Sequence, residues 1–446
     1  MSSLFKELPD VGKTRREIEA EQRKRYAVYG LTRNPFPLGG NFPEGYLNYT
    51  CLEDGQREEI EDFLFSTFHR GEFNGMLILG EYGTGKSHLL NYIYETVNTD
   101  RLGIFEGRSL AFIIENPSVA PEDILLSLLR KIKLGALQDL IFLPVKRKLR
   151  DQYGDNVIPF LEEFTTFMKQ MRLAEGTLED RTWQPSWYSD LFFTGYREFR
   201  KRLQDQNVQL KTKEIRRFTL DVLAEEVTDN LIIVESLVNL VFGDESRDAR
   251  SWESFLVSSL VGRKKQVVGV EFYLEAFLRL FEIMGIHHLY LLVDELEDLR
   301  TQRLTRKAAT EYLATLRRMI QHNYRRFSFV LASTRDAWND LRLYYPAIED
   351  RFPRTIDLTG GPEHAKSVVA EYLKKARDGE YPSDNPWFPF SEAAIDRLIE
   401  IRGHILRHVI TECRRLIDIG IREEATPPLT LEFVETNVPL STGLTG

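Results

Sequence analysis

The residues most capable of chemistry form a glycine-rich octapeptide that satisfies the phosphate-loop pattern GxxxxGK[ST]: Gly80, Glu81, Tyr82, Gly83, Thr84, Gly85, Lys86 and Ser87. An apolar run precedes it, and a segment with helical spacing follows it through His88. Glycines let successive backbone N–H groups turn toward a phosphate, and the helix N-terminus adds positive potential there. Lys86 can then offer an ammonium group to phosphate oxygens, and Ser87 a hydroxyl group to Mg²⁺. The pattern predicts that residues 80–88 bind the phosphates of a nucleotide.

A second reactive group consists of two carboxylates that follow another apolar run. Asp294 and Glu295 come directly after residues 289–293. In open α/β sheets ligands bind at the carboxyl ends of strands, so Asp294 is placed to hold Mg²⁺ and Glu295 to polarise an attacking water. The alternative is an acidic pair that caps a helix after a core strand. The phosphate-loop pattern in the same chain favours the first interpretation.

The elements that must position these groups alternate between strand and helix. Apolar runs predict strands at 76–79, 110–115, 288–293, 327–333 and 355–358, and segments with helical spacing lie between most of them. This alternation indicates an α/β fold with a parallel sheet that is covered on both faces. We expect an N-terminal arm and loop at 1–45, an ATPase-like core at 46–136 and 269–360, a helical insertion at 137–268, and a helical lid at 361–446.

The composition narrows the class of protein further. Of the 446 residues, 42% are apolar and 28% charged, which excludes a disordered or fibrous chain. No apolar run approaches the roughly 18 residues of a membrane span, and the first residues lack the apolar core of a secretory signal, so we expect a cytoplasmic protein. Cys51 and Cys413 are too few for a disulfide framework or a four-cysteine zinc site.

Taken together, the two motifs resemble those of the AAA+ ATPases, in particular the initiator and transposition-ATPase branch. The resemblance covers roughly residues 29–135 and 270–439. Residues 327–336 are similar to the strand that ends at the polar sensor 1 residue, here Thr334 or its neighbour Ser333. Residues 345–358 are similar to the stretch that carries the arginine finger, which implies this role for Arg351.

The predicted lid also resembles that of the family. Arg407 lies six residues before Cys413, as in the sensor 2 pattern, whereas Gly403 lies four residues before Arg407 instead of three. The resemblance implies an oligomeric, Mg²⁺-dependent ATPase that hydrolyses ATP between subunits. The implied partners are a second copy of the chain and proteins of the same operon, in a DNA-associated complex of transposition or phage defence. The alternative is a slow ATP-dependent switch or scaffold that recruits partners with little turnover.

A local basic cluster is the candidate for contact with DNA. The formal net charge of the chain is −9, so any such contact needs a local patch. The cations of the cluster follow an aromatic stretch in the predicted insertion and are Arg197, Arg200, Lys201, Arg202, Lys211, Lys213, Arg216 and Arg217. Cations close to aromatic side chains can follow a nucleic-acid strand. The alternative is a solvated helix face above a small aromatic core.

Overall fold

The computed structural model describes residues 23–37, 54–72, 75–115, 122–132, 137, 140–145, 147–148, 209–242, 268–297, 305–323, 325–358, 360–377 and 385–439. The chain divides into two compact units. The lid unit comprises Met1–Glu53, Gly80–Leu89 and Leu358–Gly446, and the sheet unit comprises Asp54–Leu79 and Leu90–Asp357.

The sheet unit is built around a parallel sheet. Its strands are β1 (Met76–Leu79), β2 (Ser109–Ile114), β3 (His288–Val293), β4 (Phe327–Ser333) and β5 (Arg354–Asp357). They are hydrogen-bonded in the order β2-β3-β4-β1-β5, and all of the pairs are parallel. The predicted α/β fold with a parallel sheet is therefore confirmed.

Helices connect the strands. They are α1 (Asp54–His69), α2 (Lys86–Asn98), α3 (Glu122–Lys131), α4 (Gln209–Glu226), α5 (Leu231–Phe242), α6 (Val270–Ile283), α7 (Arg306–His322) and α8 (Arg335–Tyr344). A short 3₁₀ helix, Pro346–Arg351, follows α8. Within 137–268, the elements that the structure describes are helical.

Burial explains why the sequences of the central strands are continuous apolar runs. Every residue of β3 and of β4 is buried, so both faces of these strands are covered. One core cluster joins the apolar side chains of β2, β3 and β4 to those of α3 to α7. Such complete burial fixes the two strands whose carboxyl ends carry the candidate chemistry.

The lid unit contains helices α9 (Pro362–Ala376), α10 (Glu392–Arg402), α11 (Leu406–Arg422) and α12 (Leu431–Asn437). An N-terminal segment belongs to the same core, because Tyr29, Leu31 and Phe36 are each 1% exposed and pack among the apolar residues of these helices. Asn34 Nδ2 donates hydrogen bonds to the carbonyl oxygen of Arg414 at 3.1 Å and to the Asp418 carboxylate at 2.8 Å. Residues 29–36 are thus an integral part of this unit. Of the helices described, none has the length and apolar character needed to cross a bilayer.

Candidate functional site

The glycine-rich loop starts at Gly80, directly after β1, and ends where α2 begins at Lys86. Gly83 and Gly85 have φ angles of +81° and +105°, a region that L side chains rarely adopt. The Thr84 hydroxyl donates a hydrogen bond to the carbonyl oxygen of Glu81 at 2.8 Å, which closes the loop on itself. The local sequence therefore folds into a tight turn at a helix N-terminus, where partial positive charge collects.

Lys86 lies over the loop that precedes it. Its side chain is buried, and Nζ donates hydrogen bonds to the carbonyl oxygens of Gly80 at 2.8 Å and Glu81 at 3.3 Å. The same nitrogen is 5.3 Å from the centre of the Tyr82 ring, a distance typical of a cation–π contact. Tyr82 is itself 59% exposed, and Ser87 is also exposed. The Lys86 side chain therefore packs against backbone carbonyl groups of its own loop.

The start of α11 contacts the loop within the lid unit. The backbone N–H of Arg407 donates a hydrogen bond to the carbonyl oxygen of Gly83 at 3.2 Å. A Cβ atom on Gly83 would lie 2.8 Å from Cβ of Arg407 and 3.1 Å from Cγ2 of Ile405. Two of the predicted site elements, the phosphate loop and the Arg407 segment, are therefore brought together. The Arg407 side chain is exposed.

Asp294 and Glu295 lie at the carboxyl end of β3, as predicted. Asp294 is 6% exposed, and its Oδ1 accepts a hydrogen bond from the N–H of Glu295 at 2.9 Å. Glu295 has a φ angle of +54°, which is unfavourable for a residue with a side chain, and its side chain is exposed. The N–H of Leu296 then donates to the carbonyl oxygen of Ala332 in β4 at 3.2 Å. The turn after β3 therefore presents a strained, exposed glutamate next to a buried aspartate.

Thr334 follows β4, the strand between β3 and β1, and is the N-cap of α8. Its Oγ1 accepts a hydrogen bond from the N–H of Ala337 at 3.3 Å. Its own N–H donates to Oε2 of Glu297 at 3.3 Å. The neighbouring Ser333 hydroxyl is buried and has no hydrogen-bond partner among the described residues. Both residues that the sequence left open for sensor 1 thus lie at the same sheet edge as Asp294, and only Thr334 is a helix cap.

Arg351 ends the short 3₁₀ helix before β5. Its carbonyl oxygen accepts a hydrogen bond from the N–H of Gly75 at 2.8 Å, which fixes its backbone to the residue before β1. The side chain is half-buried, and Nε has no hydrogen-bond partner in the described part of the chain. The following Phe352 is buried, with its ring centre 5.7 Å from that of Trp338. The position of Arg351 is therefore set by packing and by a backbone hydrogen bond.

Sequence reasoning missed two features of this sheet edge. Glu297 is 4% exposed although it is a carboxylate, and its spacing of three residues from Asp294 was a usable signal. Arg335 forms an ion pair with Asp357, so the pair joins the end of β4 to the end of β5. No local pattern predicts that pair, because the two residues are distant in the sequence. Only the order of the strands in the sheet brings them together.

The basic cluster is described in part. Arg216 and Arg217 are exposed on α4, and the Arg216 guanidinium group donates to Oδ1 of Asn239 at 2.7 Å. Lys211 and Lys213 belong to the same helix. The other cations, Arg197, Arg200, Lys201 and Arg202, lie outside the described residues. Contact with DNA stays a prediction.

The donor types suit a nucleotide with Mg²⁺. Oriented backbone N–H groups and the Lys86 ammonium suit phosphate, while the Ser87 hydroxyl and the Asp294 carboxylate are oxygen ligands of the kind Mg²⁺ prefers. In the described part of the chain, no group of three or more His, Cys, Asp or Glu side chains could hold a metal by itself.

These features define an α/β protein with a five-stranded parallel sheet and a phosphate-loop sequence between β1 and α2. No protein-family model matches the sequence, and comparisons with curated proteins and with solved structures find no match. The residues of this chain are therefore the basis for its functional assignment.

Proposed function

We propose that this chain is a Mg²⁺-dependent ATPase of the AAA+ type, which hydrolyses ATP to ADP and phosphate. The observation that carries the proposal is the loop at the start of α2. It combines the GxxxxGKS sequence with left-handed glycines and with a lysine ammonium 2.8 Å from a carbonyl oxygen of the loop. A turn of this kind supplies anion-binding N–H groups, a helix dipole and a mobile cation to a single ligand.

Each group has a role in this reaction. Backbone N–H groups of residues 80–88 bind the phosphates, and Lys86 neutralises charge on the β- and γ-oxygens. Ser87 and Asp294 hold Mg²⁺, which when bound offsets the charge that develops on the phosphate oxygens. Glu295 accepts a proton from the attacking water as the new P–O bond forms and the bond to the ADP oxygen breaks.

The remaining residues link hydrolysis to assembly. Arg351 serves the γ-phosphate of a second copy, Thr334 orients the attacking water, and Arg407 couples the lid to the state of the nucleotide. Each cycle of hydrolysis rearranges a DNA-associated protein complex in the cytoplasm, in phage defence or transposition. The complex contains partner proteins from the same operon. It also contains DNA, which binds to the basic cluster.

A slow ATP-dependent switch is the second candidate. It is favoured by one observation, the half-buried side chain of Arg351, whose Nε is enclosed within its own subunit. An arginine that stays enclosed does not reach a neighbouring copy, and turnover would then be slow. In this case the ATP-bound chain recruits partners, and hydrolysis only resets it.

Nucleotide binding and turnover by the Lys86→Ala variant test the proposal. We expect wild type to bind ATP with Mg²⁺ and to release phosphate, and Lys86→Ala to lose at least about tenfold in affinity or turnover. Lys307→Ala is the matched control, because the Lys307 side chain is 86% exposed on α7. Equal activity of wild type and Lys86→Ala would contradict the proposal. Chromatographic size with and without ATP separates the two candidates, because an arginine supplied by a second copy requires an oligomer.

A further inference from the structure

We propose that Glu297 is a positioning residue that holds Glu295 in its left-handed conformation by fastening the turn after β3 to the end of β4. The inference rests on the proposed function, because it concerns the glutamate assigned to activate water. Glu297 does not touch the reacting atoms in this account. It acts through the backbone of the segment that carries Glu295.

The turn is held at each successive residue. The N–H of Asp294 donates to the carbonyl oxygen of Ile114 in β2 at 2.9 Å. Asp294 Oδ1 accepts the N–H of Glu295, which has a φ angle of +54°. Leu296 is 0% exposed, and its N–H donates to Ala332 in β4. Glu297 then places Oε2 at 3.3 Å from the backbone nitrogen of Thr334. The strained residue therefore lies between two points of attachment to the sheet.

The hydrogen bond from Thr334 to Glu297 replaces a familiar local one. In a capping box, the third residue of a helix is a glutamate or glutamine that returns to the N–H of the N-cap. The third residue of α8 is Ala337, which cannot accept that N–H through its side chain. Glu297 supplies the missing acceptor from the turn after β3. The cap of α8 is thus divided between two chain segments, and one of them carries Glu295.

Burial of this carboxylate calls for a specific role. A buried charge is costly unless it is hydrogen-bonded, and Glu297 is 4% exposed. If Glu297 only filled space, an apolar side chain could replace it without loss of ATP turnover. A glutamate that fixes the turn is needed for a different reason, because a left-handed residue persists only where its surroundings hold it. Without the attachment, Glu295 relaxes and its carboxylate leaves the position needed for proton transfer.

The test is ATP turnover by full-length wild type, Glu297→Gln and Glu297→Ala. Glutamine keeps an oxygen acceptor for the Thr334 N–H, whereas alanine removes it. We expect Glu297→Ala to lower kcat at least about tenfold with KM changed less than about threefold, as for a misplaced catalytic group. Glu297→Gln should stay within about threefold of wild type in kcat. A residue with a purely structural role would lower unfolding stability and leave kcat per folded molecule unchanged.

A double-mutant cycle addresses the hydrogen bond itself. Thr334 has a φ angle of −74°, so Thr334→Pro removes the N–H at a backbone conformation that proline adopts. Thr334→Ala is the matched control, since it loses the hydroxyl and keeps the N–H. Glu297→Ala should still lower kcat about tenfold in the Thr334→Ala background and less than about twofold in the Thr334→Pro background.

The outcomes separate this inference from the proposed function. An active wild type with unchanged kcat in Glu297→Ala overturns the role of Glu297 alone, and so does an undiminished effect in the Thr334→Pro background. A wild type that binds ATP and never hydrolyses it overturns both, because no catalytic glutamate then needs positioning. Urea unfolding of every variant confirms that each one is folded before its kcat is compared.

Discussion

The backbone nitrogen of Arg407 lies 3.2 Å from the carbonyl oxygen of Gly83 and donates a hydrogen bond to it. This contact joins the first turn of α11 to the phosphate loop through main-chain atoms. Any rearrangement of the loop must therefore keep or break a bond to the helix that carries the sensor 2 candidate. In the proposed cycle, this hydrogen bond is a direct route by which a bound nucleotide affects the lid.

The glycine at position 83 is the point where this route can be broken. Alanine there would place Cβ 2.8 Å from Cβ of Arg407 at a φ angle of +81°, so both packing and backbone oppose it. We expect Gly83→Ala to lower the free energy of unfolding by about 2–4 kcal/mol and to weaken ATP binding at least about tenfold. Urea unfolding and ATP titration measure the two effects.

Gly103→Ala is the control for Gly83→Ala. Gly103 has a φ angle of +66°, but an added Cβ would meet nothing within 4 Å. It should therefore show only the backbone cost, about 1 kcal/mol, with unchanged ATP binding. Equal stability loss in the two variants would mean that the contact with α11 contributes nothing.

Substitution of Glu295 by glycine should have opposite effects on stability and on activity. Its left-handed backbone is unfavourable for glutamate and acceptable for glycine. We expect Glu295→Gly to raise the free energy of unfolding by up to about 1 kcal/mol while turnover is lost. Glu295→Gln should lose turnover with stability within about 0.5 kcal/mol of wild type. If Glu295→Gly is instead less stable than wild type, the strain at this position has no energetic consequence.

The role of Arg351 can be tested by mixing variants. If this arginine serves a second copy, Arg351→Ala and Glu295→Gln subunits are each inactive, but a mixture contains interfaces with both wild-type residues. We expect the mixture to recover up to about a quarter of wild-type turnover per site, as random pairing of subunits gives. Arg342→Ala is the control, because Arg342 is also partly exposed and pairs with Glu349 at 3.0 Å. Failure of the mixture to recover activity would favour the switch.

His288 should make the stability of the sheet depend on pH. Burial lowers the pKa of His288 from its ordinary value of 6.5 to about 3, and its Nε2 shares a hydrogen bond with the Ser328 hydroxyl at 2.9 Å. Between these two pH values the unfolded chain binds a proton at this site and the folded chain does not. The free energy of unfolding should therefore fall as the pH decreases below 6.5, by at most about 1.4 kcal/mol per pH unit from this group.

Urea unfolding between pH 7 and pH 5 measures that dependence, because many proteins are still stably folded over this range. His288→Gln should reduce the slope, because glutamine carries no proton that titrates in this range. An identical slope in wild type and His288→Gln would show that the histidine titrates alike in the folded and unfolded chains.

Much of the sheet could be predicted from the sequence because its signals are local. The runs at 76–79, 288–293 and 327–333 coincide with β1, β3 and β4, since strands buried on both faces require unbroken apolar residues. The predicted ranges of β2 and β5 differ from the observed ones by one residue. The placement of Asp294 after β3 followed from the same local pattern.

Other features depend on contacts between distant segments and could not be predicted. The order of the strands decides that β4 lies between β3 and β1, and therefore that Thr334 can bind Glu297. The left-handed φ angle of Glu295 is not one that the conformational preference of glutamate predicts. The bond between Gly83 and Arg407 joins residues more than 300 positions apart. Such pairs become visible only when the chain is folded.

The most direct test of the central claim is phosphate release from ATP by wild type and by Glu295→Gln, measured with and without double-stranded DNA and beside ATP binding and oligomer size. We expect wild type to hydrolyse ATP, and Glu295→Gln to bind ATP with similar affinity while its turnover falls at least about 100-fold. Stimulation of wild type by DNA would identify DNA as part of the assembly. Negligible turnover by wild type, or equal turnover by the two proteins, would contradict the assignment of this chain as an ATPase with Glu295 as its catalytic base.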